Sequence, residues 1–128
     1  VSQFTTPLQV EVIGDYQFKT ITSFIYYVGR EGSEEYITVK SGFVTDFASV
    51  PQAFWSVLPP HGKYAKAAVL HDWLYTNAIE SKRYADDVFN EAMRVLGVPT
   101  WKRVIMYQAV RLFGRGNYRL SNHKEVTQ

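Results

Sequence analysis

Two short motifs in the middle of the chain hold the residue types that can do chemistry. The first is His71-Asp72-x-x-Tyr75, and the second is Ala85-Asp86-x-x-Phe89. His71 and Tyr75 are four apart, so on a helix they share a face, with Asp72 about 100° round from His71. An imidazole and two carboxylates gathered between packed helices can supply a general base, its orienting partner and a cation ligand.

The elements that must position these groups follow from the pattern around them. Residues 63–78 are apolar nearly all round and predict a buried helix with small residues, Ala65, Ala67 and Ala68, for close packing. A second helix is predicted from Ser81, a suitable N-cap, to about Leu96, with Gly97 just past its end. Within it Asp86, Phe89, Met93 and Leu96 recur at steps of three or four, so Asp86 faces inward. Asp87, Asn90, Glu91 and Arg94 make the polar face. A short turn makes the two helices antiparallel neighbours. His71 and Asp86 then lie at similar depths, within about one 5.4 Å helical turn. A buried lone carboxylate is costly and must be paired, and an imidazole would serve. The plain alternative is that Asp86 fixes one helix to the other through Tyr64 or Tyr75, with His71 as a satisfied core histidine.

A third helix is predicted over TWKRVIMYQAVRLF, opened at Pro99 or Thr100 and stopped by Gly114. Upstream, LQVEVIG, YQFKTI, SFIYYVG and EYITVK read as four strands of an antiparallel meander over residues 8–44, with Gly14-Asp15 as the first hairpin turn. Between sheet and helices lies SGFVTDFASVPQAFW, in which Pro51 is suited to open a short helix. The expected fold class is α+β: a small N-terminal antiparallel β-sheet followed by a three-helix C-terminal layer with an antiparallel pair bearing His71 and Asp86. The site is expected where the DFASVP loop meets the first two helices.

The 128 residues fit one domain (8–44 meander, 45–62 loop and short helix, 63–114 helices, 115–128 basic tail). The absence of Cys excludes a disulfide scaffold or Cys-ligated zinc. A formal charge of +2 is too small to imply nucleic acid. No apolar run has the length of a membrane span, and no signal peptide is visible. The series Lys102, Arg103, Arg111, Arg115, Arg119 and Lys124 is expected to be a solvated face. With Trp101, Tyr107 and Tyr118 it could also meet phosphate groups or an acidic protein surface.

His71-Asp72-x-x-Tyr75 followed by Ala85-Asp86-x-x-Phe89 resembles the active-site helices of the phospholipase A2 superfamily, over about residues 64–96. It is most similar to the cysteine-free form in parvovirus capsid proteins. The resemblance implies that His71 is the base activating water, that Asp72 binds calcium, and that Tyr75 and Asp86 hold the imidazole. The stretch before the first helix, PPHGKYAKAAV, has one Gly and no Gly-x-Gly calcium loop, so Asp46 is the candidate second cation ligand.

Nearly the full chain also resembles an uncharacterised family of small bacteriophage and prophage proteins, through Gly42, Asp46, Ser49, Pro51, His71, Asp72, Tyr75, Ala85 and Asp86. That resemblance implies a phage setting, in the virion or the host cytoplasm, and places Asp46 and Ser49 beside the His-Asp pair. Without it, TDFASVP reads as a loop held by Asx- and Ser-type turns. Two weaker patterns carry little weight. His61 with His71-Asp72 and Asp86 is spaced too tightly for a metal phosphohydrolase, and Ser49 lacks a Gly-x-Ser-x-Gly elbow.

Two functions follow as expectations. One is a small phage-encoded hydrolase, phospholipase A2-like or an esterase. It would use His71, Asp86 and Tyr75, with Asp72 and Asp46 for a divalent cation such as calcium and lipid as a partner. The other is a non-enzymatic virion component, of tail or baseplate, in which the same cluster locks the fold and the partners are virion proteins.

Overall fold

A computed structural model of the chain describes residues 3–4, 8–14, 17–45, 52–54, 65–77 and 81–113. The fold is α+β, with five antiparallel strands followed by three α-helices among the described residues. It divides into two compact units, Val1–Asp46 and Phe47–Gln128.

The first unit holds β1 (Val10–Gly14), β2 (Gln17–Thr20), β3 (Phe24–Tyr27), β4 (Tyr36–Val39) and β5 (Val44–Thr45). All four expected strands are present, but they do not form one meander. β3 and β4 make a two-stranded hairpin, with Phe24 opposite Val39 and Tyr27 opposite Tyr36. β2 pairs β1 on one side and β5 on the other. Gly42, at φ +85°, turns the chain after β4 in a conformation that favours glycine. Buried Thr20 then ties the returning strand. Its hydroxyl donates to the Lys40 carbonyl at 2.9 Å and accepts from the Phe43 amide at 2.9 Å. Such a link between a threonine and a residue 23 positions away leaves no local signal, so β5 was not foreseen. Gly14, expected in the first hairpin turn, instead pairs with Gln17 at the end of β1, and Asp15 lies outside the described residues. Among the described residues of this unit, Phe4, Phe24, Tyr26 and Val39 are the buried apolar side chains. The rings of Phe4 and Tyr26 lie 4.7 Å apart in a tilted pair.

The second unit holds α1 (Ala65–Asn77), α2 (Lys82–Val95) and α3 (Thr100–Phe113), preceded by one turn of 3-10 helix over Gln52–Phe54. That turn is what the described residues contain of the short helix expected after Pro51. α1 buries nine of its thirteen residues, as its unbroken apolar surface requires. α2 packs between α1 and α3. It opens at Ser81, whose hydroxyl accepts from the Tyr84 amide at 3.1 Å. It closes as the sequence implies, with Gly97 at φ +90° and the Val98 and Gly97 amides reaching back to the carbonyls of Met93 and Arg94. The inner surfaces are filled by Leu70, Leu74, Phe89, Met93, Met106 and Val110, all buried.

α3 is unusual on its outer side. Trp101, Val104, Ile105 and Leu112 fall within about a 100° arc at helical spacing, and all are exposed, Trp101 and Leu112 by 60% and 66%. The Lys102 ammonium lies 5.5 Å from the Trp101 ring centroid at the edge of this arc.

Candidate functional site

The site grows from Asp86, on the inward stripe of α2. It has no exposed surface, and neither has His71. His71 Nε2 lies 2.7 Å from Asp86 Oδ1, and the Tyr75 hydroxyl donates to the same oxygen at 2.6 Å. The four-residue spacing on α1 brings imidazole and phenol to one face, with their rings 4.2 Å apart. Phe89, one turn beyond Asp86 on α2, backs the imidazole at 4.5 Å. Tyr75 meets Lys82 while His71 meets Phe89, so α1 and α2 run antiparallel. The expected trio of His71, Tyr75 and Asp86 is thus brought together.

The second carboxylate oxygen is equally engaged. Lys82 Nζ donates to Asp86 Oδ2 at 2.8 Å, and Arg111 Nη1 donates to it at 2.9 Å. Four donors therefore converge on one carboxylate, which matches its lone-pair capacity. Among the described residues, no buried side-chain nitrogen or oxygen lacks a partner.

These contacts decide the charge of Asp86. Burial alone pushes its carboxyl up. Hydrogen bonding and attraction from His71, then the hydrogen bonds from Lys82 and Tyr75, outweigh burial and hold it at about 2. At neutral pH Asp86 is ionised and can only accept, so His71 Nε2 carries a proton. When the imidazole is neutral, its lone pair is consequently on Nδ1. The arrangement can fix a histidine in one tautomer and stabilise the imidazolium formed when Nδ1 takes a proton.

Two members of this cluster were not foreseen. Lys82 had a signal: it stands four residues before Asp86, the spacing of a helical ion pair. Arg111 had none, because it comes from α3, 25 residues away. It was expected on a solvated face, but it turns onto Asp86. Tyr107 also belongs elsewhere than expected. Its hydroxyl donates to Asp87 at 2.6 Å, and that bond, with burial, raises it above the usual tyrosine range. Asp87 itself faces solvent, as the helical period implies.

Asp72 is buried beside the cluster, 6% exposed. Asp46, Ser49, Tyr64 and His61 lie outside the described residues. Among the described residues, no group of three His, Asp or Glu side chains could hold a metal ion. Calcium takes six to eight oxygens. Both Asp86 oxygens are occupied by donors, and the Asp72 carboxylate by itself does not make a calcium site. Any further ligands would have to come from outside the described residues.

The comparisons with known proteins give an uncharacterised family and an uncharacterised relative, and carry no activity. An uncharacterized protein of Sinorhizobium fredii (strain NBRC 101917 / NGR234), y4jT, is 40% identical over 78 residues, which is 59% of this chain and 23% of that protein. The matched part thus spans less than a quarter of a longer relative. No solved structure matches the chain. No α-helix among the described residues is long and apolar enough to cross a membrane. A family model described as "Protein of unknown function (DUF1353)" matches residues 19–110, which is well over half of the sequence, and the chain belongs to that family.

Proposed function

We propose that this chain is a small hydrolase of carboxylic esters, phospholipids included, with His71 as its general base. The observation that supports this reading is the His71–Asp86–Tyr75 geometry, in which an ionised carboxylate accepts from Nε2 and orients the ring. Nδ1 takes a proton from water as the water oxygen bonds to the carbonyl carbon. The imidazolium returns that proton to the leaving alcohol as the ester C–O bond breaks. Asp86 and Tyr75 keep the ring in place throughout. His71 is fully buried, so water and substrate reach it only as its surroundings part on binding. Asp72, next to His71 in the chain, is the residue of this helical unit that would contribute to holding a divalent cation. The test is hydrolysis of a phospholipid and a soluble ester by the wild type and His71→Ala. An unchanged rate in the variant excludes the mechanism.

A second reading is favoured by a separate observation. Asp86 receives groups from α1, α2 and α3 at once, and α3 turns a row of large apolar side chains outward. In this reading the cluster locks the helices, and the protein is a virion component whose α3 row is covered by another virion protein. Exposed apolar rows of this kind mark interaction surfaces. The two readings part on Leu112→Gln, which weakens assembly in the second and leaves hydrolysis untouched in the first.

A further inference from the structure

We propose that Lys82 and Arg111 are positioning residues of the site, gripping Asp86 Oδ2 so that Oδ1 stays turned to His71 Nε2 and the Tyr75 hydroxyl. The catalytic meaning of this assignment rests on the base role of His71 proposed above, but the geometry it concerns needs no substrate.

The terminal torsion of an aspartate is soft and roughly two-fold. His71 and Tyr75 both bond Oδ1, and two donors on one oxygen leave the other free to swing. In this site two cations bond that second oxygen, Lys82 at 2.8 Å and Arg111 at 2.9 Å. Lys82 is itself fixed. Its ammonium donates to Asp86 Oδ2 and to the carbonyls of Val110 at 2.8 Å and Arg111 at 3.3 Å, which uses all three of its donors. Residue 111 is therefore held twice, by its carbonyl on Lys82 and by its guanidinium on Asp86. The last turn of α3 is the part of the molecule that completes the grip.

Charge works in the same direction. A buried carboxylate facing only an imidazole and a phenol would be poorly compensated. With Lys82 and Arg111 in place it remains an acceptor, and the imidazole proton stays on Nε2. Removing both cations frees the carboxylate to rotate or to hold a proton of its own, and either change lets the His71 tautomer relax.

The test uses protein with 15N-labelled histidine. There are three histidines, and His71→Gln assigns the signals of His71. In the wild type at neutral pH the His71 ring shows one Nε2–H tautomer, with a slowly exchanging proton. In Lys82→Met and Arg111→Met the Nε2–H correlation weakens, and in the double variant it is lost while the two ring-nitrogen shifts converge. Arg111→Lys and Lys82→Arg restore it. A folded double variant with an unchanged His71 tautomer overturns the proposal. So does a set in which both Met variants unfold while the charge-keeping variants fold with a mixed tautomer, because the cations then serve stability alone. A wild type that hydrolyses nothing yet shows the tautomer change removes the hydrolase reading and leaves the positioning role standing.

Discussion

His71 Nε2 lies 2.7 Å from Asp86 Oδ1, and neither residue has any surface in contact with solvent. Burial makes this bond matter. In water an imidazole–carboxylate contact contributes little, whereas inside the helices a loss on either side leaves a polar group without its partner. The pair therefore links the stability of the helical unit to the state of the ring.

Replacing Asp86 by Ala strands an ammonium, a guanidinium, an imidazole and a phenol around an empty place. Removing one partner of a buried ion pair typically costs about 3–5 kcal/mol. Arg111 is one-third exposed and can turn to water, which places the loss toward the lower end of that range. Urea unfolding of Asp86→Ala followed by circular dichroism measures it. A change below about 1 kcal/mol would show that the four contacts contribute nothing net.

Acid should weaken the fold through the same residue. The Asp86 carboxyl titrates at about 2 in the folded protein, against an ordinary value of 3.8. A depressed carboxyl contributes stability that is fully present above the unfolded value and is lost as pH falls through the folded one. The window is therefore from about pH 4 down to about 2, and the contribution is about 2 kcal/mol. Urea midpoints at pH 5 and pH 2.5, compared between wild type and Asp86→Asn, check the sign. The wild type should lose more of its stability over that interval than the variant does.

The sequence was most informative where the relevant contacts are local. The three helices, the Ser81 cap and the Gly97 stop are set by neighbours three or four residues away, and each was legible. His71, Tyr75 and the inward side of Asp86 could be read from helical period alone. What comes from distant segments was not readable. β5 is held to β2 by Thr20, across more than twenty residues. Arg111 looked like one more member of a basic row, and only the packing of α3 on α2 turns it onto Asp86. Lys82 stands at the spacing of a helical ion pair with inward-facing Asp86, but that spacing is shared by countless solvent-side pairs and does not by itself single Lys82 out.

The helix ends of α2 are predicted to contribute to stability without touching the site. Ser81→Ala removes the acceptor for the Tyr84 amide and should cost about 1 kcal/mol. Gly97→Ala should cost about 1–2 kcal/mol. No atom lies within 4 Å of the added methyl group, so the cost is conformational, from the positive φ. Thermal unfolding checks both. The His71 ring signals should be unchanged in each variant, which separates general destabilisation from damage to the cluster.

The proposed cation is tested at Asp72. Asp86 is saturated by its four donors, so the proposal assigns a divalent ion beside His71 to the Asp72 carboxylate. Calorimetric titration with calcium and with zinc should give binding in the wild type that is lost in Asp72→Asn and kept in Asp87→Asn. Absence of binding for either metal would remove the cation from the account and leave His71 and Asp86 unaffected.

The most direct measurement is hydrolysis itself. Wild type, His71→Asn and, as a surface control, Asp87→Asn are to be assayed by acid release from phospholipid vesicles and from a soluble carboxylic ester. Circular dichroism would confirm that all three are folded. The account predicts measurable turnover in the wild type and the control, and a rate at least about 100-fold lower in His71→Asn, the scale of a lost general base. Equal rates in wild type and His71→Asn, or no turnover by the wild type on either substrate, would contradict it.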